Sequence, residues 1–192
     1  SWVESACRGK GVSPGSPAEG EEWIGAYMPV LRNIRLLRDA LSEGGSPRLP
    51  GISKNEFNQY VARIFPRDLK EKLMFSGFSA EIWIEKNHEP TQGHTYATPP
   101  KEGQVALILG AGNQSSIGPM DCLYKLFVEN QVCILKMNPV NEVVGPSIEK
   151  AFKVLIDANW LRVVYGGVDT GKYLCRHQKV DTIHITGSDK TH

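Results

Sequence analysis

Residues 104–136, QVALILGAGNQSSIGPMDCLYKLFVENQVCILK, decide how this chain is read. They open with an unbroken apolar run, Val105 to Leu109, and turn at Gly110-Ala111-Gly112. A helical pattern follows through Ile117, Met120, Leu123 and Phe127, and a second apolar run covers Val132 to Leu135. Strands apolar at every position belong to parallel sheets covered on both faces, so the stretch reads as a βαβ unit. The turn after the first strand of such a unit gathers free backbone N–H groups and a helix dipole. That combination suits a nucleotide phosphate.

Toward the C-terminus the alternation continues. After Lys136 the sequence predicts a turn (MNPVNEVVG), a helix over about Pro146–Asn159 and a strand at Val163–Tyr165 that ends in Gly166-Gly167. A short helix over Asp169–Arg176 follows, then a strand over Val180–Ile185 that ends in Thr186-Gly187-Ser188. The economical topology is an open, Rossmann-like parallel sheet with helices on both faces, an α/β fold. The last residue, His192, comes directly after a strand-to-helix turn. A sheet cut there has a raw edge and an uncovered face, so further chain is expected beyond it.

Toward the N-terminus, Asn87–Gly103 is a polar connector with Pro90, Pro99 and Pro100, holding a short extended piece at Thr95–Ala97. It places a domain boundary near residue 100. Residues 1–100 form a mostly helical region with a few strands, and 101–192 a partial nucleotide-binding domain. Residues 1–15, polar and rich in glycine and serine, are expected to be loosely ordered, with Trp2 and Cys7 as anchors. Ser16-Pro17-Ala18-Glu19 matches a capping box. It opens one long helix from about Pro17 to Glu43, stopped by Gly44-Gly45. Its apolar stripe, Ile24, Tyr27, Met28, Leu31, Ile34, Leu37 and Leu41, is expected to face the core. Ser46–Ser53 reads as turn material, Glu56–Phe65 as a strand, Pro66 to Phe75 as a short helix with its opening, and Ala80–Glu85 as a half-exposed strand. His88 and His94 stand in a polar loop, where a lone histidine is usually solvated.

Composition narrows the function classes. The 192 residues are 41% apolar and 22% charged with a net charge of +1, which argues against a nucleic-acid surface. No apolar run approaches the roughly 20 residues that span a bilayer, and no signal-peptide core is present at the start. The four cysteines, at 7, 122, 133 and 175, show no C-x-x-C spacing. They read as reduced, buried thiols of a cytoplasmic protein, and none as a metal ligand.

The chemistry-bearing positions sit at strand ends. Gly110-x-Gly112 begins a dinucleotide fingerprint, but Ser115 stands at its third glycine and the next glycine is Gly118. A phosphate cradle and a plain tight turn both fit. Lys136 stands where an acidic ribose ligand is usual. A lysine ending a buried strand either reaches a ribose hydroxyl or 2′-phosphate, or extends to water. Asn113 either caps the following helix or aims its amide N–H at an oxyanion. Thr186-Gly187-Ser188 suits a pyrophosphate at a helix start, or an ordinary N-cap. Gly166, Gly167 and Gly171 suit close backbone approach, or simple turns.

In order, VALILGAGN, VCILK, VVYGGVDTGKYLCRH and VDTIHITGS resemble the aldehyde dehydrogenase superfamily over about Thr95 to Ser188. The resemblance implies an oxidoreductase that oxidises an aldehyde, or reduces an acyl thioester, with NAD or NADP through a cysteine-bound thiohemiacetal. It implies that Asn113 is the oxyanion donor and that Lys136 contacts the adenosine ribose. Ser188 and Gly187 would lie at the pyrophosphate with the Gly110 turn, Gly167 and Gly171 near the adenine, and Thr186 near the nicotinamide. His177 and Val180-Asp181 match the pattern as structural residues. Gly112 and Ser115 replace the family's aromatic residue and proline around the asparagine, which keeps an acyl-CoA reductase variant open. Pro139 replaces a ribose-binding glutamate, which leaves NADP open. The family's catalytic cysteine and glutamate lie beyond the Thr-Gly-Ser turn, so this chain alone is expected to be inactive. A non-catalytic nucleotide-binding or scaffold protein is the alternative. Expected partners are a small aldehyde or acyl substrate and further copies of the full-length chain, through strands such as Ala80–Glu85 and Thr95–Ala97.

Overall fold

The computed structural model describes residues 1–45, 49–93, 98 and 100–187. The chain divides into two compact units, Ser1–Leu37 with Thr98–His192, and Arg38–Ala97. This division differs from a single boundary near residue 100, because the first 37 residues pack with the parallel sheet.

In the larger unit, β4 (Gln104–Leu109), β5 (Gln131–Lys136), β6 (Leu161–Val164) and β7 (Thr182–Ile185) form a wholly parallel sheet in the order β6-β5-β4-β7. Helices flank it: α5 (Ile117–Phe127), α6 (Gly145–Ala151), α7 (Lys153–Asp157) and α8 (Val168–Cys175). Ala106, Leu107 and Ile108 of β4 are fully buried, as a central strand covered on both faces must be. Asp181 accepts the Val105 N–H through its carboxylate at 2.7 Å and ties the start of β4 to the segment before β7. The expected Pro146–Asn159 helix is interrupted at Phe152 and preceded by a 3₁₀ segment, Pro139–Val144.

The first ten residues overturn the expectation of loose order. Trp2–Lys10 is a helix, α1, with Ser1 and Glu4 forming a capping box. Trp2, Val3, Ala6 and Cys7 are buried, and Trp2 and Ala6 join the core beside Ile108, Leu135 and Val144. Fully burying such a side chain stabilises by about 1.5–3 kcal/mol, which outweighs the weak helix propensity of the polar residues between.

The long helix also departs from expectation. Pro17–Glu22 (α2) passes through a π-helical turn, Trp23–Tyr27, into Met28–Ser42 (α3). Ala26 and Val30 are buried, whereas Ile24, Met28, Leu31, Ile34 and Leu41 of the predicted stripe are exposed. The wide turn changes the angular phase of every residue after it, so a single 3.6-residue period misplaces the face.

The smaller unit, Arg38–Ala97, holds an antiparallel sheet, β1 (Gly51–Lys54), β2 (Tyr60–Phe65) and β3 (Ala80–Trp83), in the order β1-β2-β3. β1 lies in what reads as turn material. All four of its residues are exposed, so it carries no burial pattern to read. Helix α4 (Leu69–Met74) is capped by Asp68, whose carboxylate accepts the Glu71 N–H at 2.8 Å. The Thr95–Ala97 segment, His94 and Pro99 lie outside the described residues.

Candidate functional site

The carboxyl ends of the four parallel strands open into one cleft of about 910 Å³. Gly110, Asn113, Lys136, Gly167, Gly171, Thr186 and Gly187 all line it, so the structure brings seven sequence-predicted positions together. The eighth, Ser188, lies outside the described residues.

The β4 side of the cleft is built from the glycine turn. A Cβ on Gly110 would sit 3.1 Å from the Lys136 carbonyl oxygen, and one on Gly112 would sit 3.1 Å from Asn138 Nδ2. Gly110 thus packs tightly against the β5 backbone, and Gly112 against the Asn138 side chain just past β5. The Gly110 N–H donates to that same Lys136 carbonyl at 2.9 Å. Gly118 performs the helix–strand packing that the fingerprint assigns to its third glycine: a Cβ there would meet Leu135 Cδ1 at 2.9 Å.

Three tethers hold this turn. Asn141, 3% exposed, donates from Nδ2 to the carbonyls of Ala111 (2.9 Å) and Gly112 (3.1 Å). Trp2 donates its indole N–H to Ser115 Oγ at 2.9 Å. Ser116 donates its hydroxyl to the Gly25 carbonyl, inside the π turn, at 2.7 Å. None of these partners is within 25 residues of the group it holds in the sequence, and none was read from it.

Asn113 is exposed and does not cap α5; the N-cap is Ser116, three residues later. The capping alternative is thereby removed. Its carbonyl accepts from Lys10 Nζ at 3.5 Å, and the residue lines the cleft.

Lys136 is 7% exposed. Burial pushes its ammonium below the ordinary lysine value, and the Glu142 carboxylate opposes that shift. Glu142 Oε1 already accepts the Gly166 N–H at 2.8 Å, which fixes the loop between β6 and α8. Gly166 has φ +129°, and a Cβ there would meet Thr170 Oγ1 at 2.4 Å, so glycine is obligatory twice over.

At the β7 end, Thr186 Oγ1 donates to Asp121 Oδ2 at 3.0 Å, and His184 Nε2 lies 3.5 Å from Asp121 Oδ1. The i, i+2 spacing of His184 and Thr186 was a legible sign that they share a strand face. Asp121, on α5, was not. Cys175 also borders the cleft, while Cys122 is buried, and burial pushes its thiol well above the ordinary value with Cys133 as the second cause.

No family model matches the chain, and no curated protein matches its sequence. Among solved structures it is similar to the substrate-bound state of Staphylococcus aureus AldH, at a TM-score of 0.52 and 15% identity. The match covers 90% of this chain and 30% of that one, so the chain spans less than a third of its neighbour's length. At this identity the likeness concerns the fold, and it points to an aldehyde dehydrogenase fold.

Proposed function

We propose that the chain is the cofactor-binding part of an aldehyde dehydrogenase-like oxidoreductase. The intact enzyme would oxidise an aldehyde, or reduce an acyl thioester, with NAD or NADP as hydride carrier. The observation that carries this reading is the convergence of seven residues, at the strand ends and in the segments that follow them, on one cleft. A nucleotide belongs where parallel strands end beneath glycine turns.

The residues present fit such a group. Gly110 and Gly112 pack tightly against the segment after β5, and beyond Gly110, whose own N–H is bonded to the Lys136 carbonyl, the backbone of the turn can approach a phosphate. Lys136 offers a buried ammonium to the ribose. Thr186 lines the cleft with its hydroxyl oriented by Asp121, to which it donates, and by His184 Nε2 at 3.4 Å. Asn113 presents its amide N–H groups for an oxyanion. By the family resemblance, the reacting thiol of a thiohemiacetal is assigned to a part of the protein beyond these residues; Cys122 and Cys133 are buried away from solvent, and Cys175 borders the cleft from α8.

Titration of NAD⁺ and NADP⁺ into the chain by calorimetry, beside Lys136→Ala, tests the reading. Saturable binding that the variant weakens about tenfold is expected for the loss of one charge-assisted contact. A folded chain that binds neither dinucleotide would count against it. The expected absence of turnover by this chain alone is checked by aldehyde-dependent absorbance at the reduced-nicotinamide band. A second reading, a nucleotide-binding scaffold without chemistry, is supported by the same cleft; a full-length protein that binds NAD(P) without turning over aldehyde would select it.

A further inference from the structure

Lys10 ends α1 and Glu22 ends α2, two helices that carry no cleft-lining residue. Glu22 is 4% exposed, and its Oε1 accepts from Lys10 Nζ at 2.5 Å. Its second oxygen, Oε2, is buried and has no hydrogen-bond partner among the described residues. A carboxylate in this state is a poor stabilising device. The lone oxygen carries a desolvation cost that no bond offsets, and a buried ion pair is often no better than apolar residues of the same volume. What the pair does besides stabilise is hold the ammonium in one place.

That place is the glycine turn. The same Lys10 Nζ lies 3.5 Å from the Asn113 carbonyl oxygen. At this length the attraction is mainly that of a charge for a carbonyl dipole, and it lasts only while the ammonium stays put. The flexible lysine stem alone would not keep it there, because ordering it costs rotamer entropy. The rest of the turn is tethered residue by residue: Ala111 and Gly112 by Asn141, Ser115 by Trp2, and Ser116 by the Gly25 carbonyl. Asn113 falls in the gap between these tethers, and Lys10 fills it. Gln114 packs on Gly25, where a Cβ would sit 3.2 Å from Gln114 Oε1, and that oxygen is also buried without a partner among the described residues. One such oxygen thus stands on the residue that holds Lys10 and another on the residue after Asn113. An ammonium is the group that buried acceptors of this kind favour.

Resting on the functional reading above, in which Asn113 donates to an oxyanion, we propose that Lys10 is a positioning residue for Asn113, kept to that task by Glu22. Lys10 touches no reacting atom. By holding the Asn113 carbonyl it fixes the Asn113–Gln114 peptide plane, and with it the direction in which the Asn113 side chain leaves the backbone. A donor that stabilises developing charge must be in place before the charge appears, since one that has to be reoriented loses much of its effect to reorganisation.

Backbone amide relaxation of the whole chain, measured by NMR, tests this without any cofactor. The Gln114 N–H shares its peptide plane with the Asn113 carbonyl, so its order parameter reports the contact directly. Lys10→Met/Glu22→Gln removes both charges together and leaves no buried ion unpaired. It is expected to lower the Gln114 order parameter from about 0.85 to below about 0.6, with Ala111 and Ser115 unchanged. Glu22→Gln alone keeps the lysine without its anchor and should give a smaller loosening at the same residue, while Lys10→Arg should match the parent chain. In the full-length enzyme the double variant should lower kcat about tenfold with the aldehyde KM within about twofold, and Lys10→Arg should retain most of kcat. A merely structural pair would lower the melting temperature and move neither readout. Folded variants with an unchanged Gln114 order parameter, or an unchanged kcat, would overturn the inference and leave the cofactor reading standing. Failure of the parent chain to bind either dinucleotide would overturn that reading instead.

Discussion

The two walls of the cleft are built on opposite plans. The β4 wall, residues 110–116, is held by Asn141, Trp2 and the π turn, with Ser115 and Ser116 buried beneath it. The α8 wall is exposed and cationic, and its principal tether is the single hydrogen bond from Gly166 to Glu142. A backbone cradle works only if its N–H groups are fixed, because a misplaced amide cannot be repositioned by rotamer change. A charged wall tolerates motion, because Coulomb attraction falls off gently with distance and long side chains reorient. The difference suggests a division of labour: geometry on one side, charge on the other.

The comparison breaks first at Trp2. Trp2→Ala removes a core indole and leaves the buried Ser115 hydroxyl without its donor. A loss of about 3–5 kcal/mol is expected by denaturant titration. A loss below about 1 kcal/mol would mean that α1 is not part of the cradle's support.

Asn141→Ala sharpens it. Two carbonyls lose their donor, for an expected cost of about 1–3 kcal/mol. Amide exchange should quicken at residues 110–116 while that of α8 stays unchanged. Equal quickening on both walls would show that they are one mechanical unit.

The smallest effect concerns Lys136. Its folded pKa lies below the ordinary value of 10.5, so the unfolded chain holds that proton more tightly. Stability of the ligand-free chain should therefore rise as pH climbs toward 10.5, through the interval between the folded and unfolded values. Lys136→Met should remove that contribution and be neutral or slightly stabilising at neutral pH. An unaltered pH slope in thermal melts would sink the assignment.

What was legible in the sequence follows the same contrast. β4 and β5 announced themselves because a strand buried on both faces is apolar at every position, and their observed limits differ from the expected ones by a residue at most at either end. The clustering of Gly110, Lys136, Gly167 and Thr186 followed from topology, since parallel strands place their carboxyl ends side by side. The supports were not legible. Asn141 binds carbonyls 29 and 30 residues upstream, and Trp2 binds a residue 113 away. No local pattern encodes such pairings. The Ser1–Glu4 capping box was readable, but the glycines and serines that follow it masked the signal. Lys172 and Arg176 carry no mark in the sequence; the sheet order brings the helix after β6 to the same cleft as Lys136.

The π turn at Trp23–Tyr27 carries a further consequence. An extra residue in one helical turn acts as a vernier: it shifts the sequence register of everything downstream by about 100° against a plain α pattern, while the wider turn keeps the two flanking helices in phase. Deleting any one residue there would leave composition and helicity almost untouched. It would let the turn close as ordinary α-helix with Val30 still on the core, yet it would withdraw the Gly25 carbonyl from Ser116. A change invisible to a composition-based comparison would thereby be transmitted to the glycine cradle, which makes the length of this turn as much a part of the site as any side chain lining it.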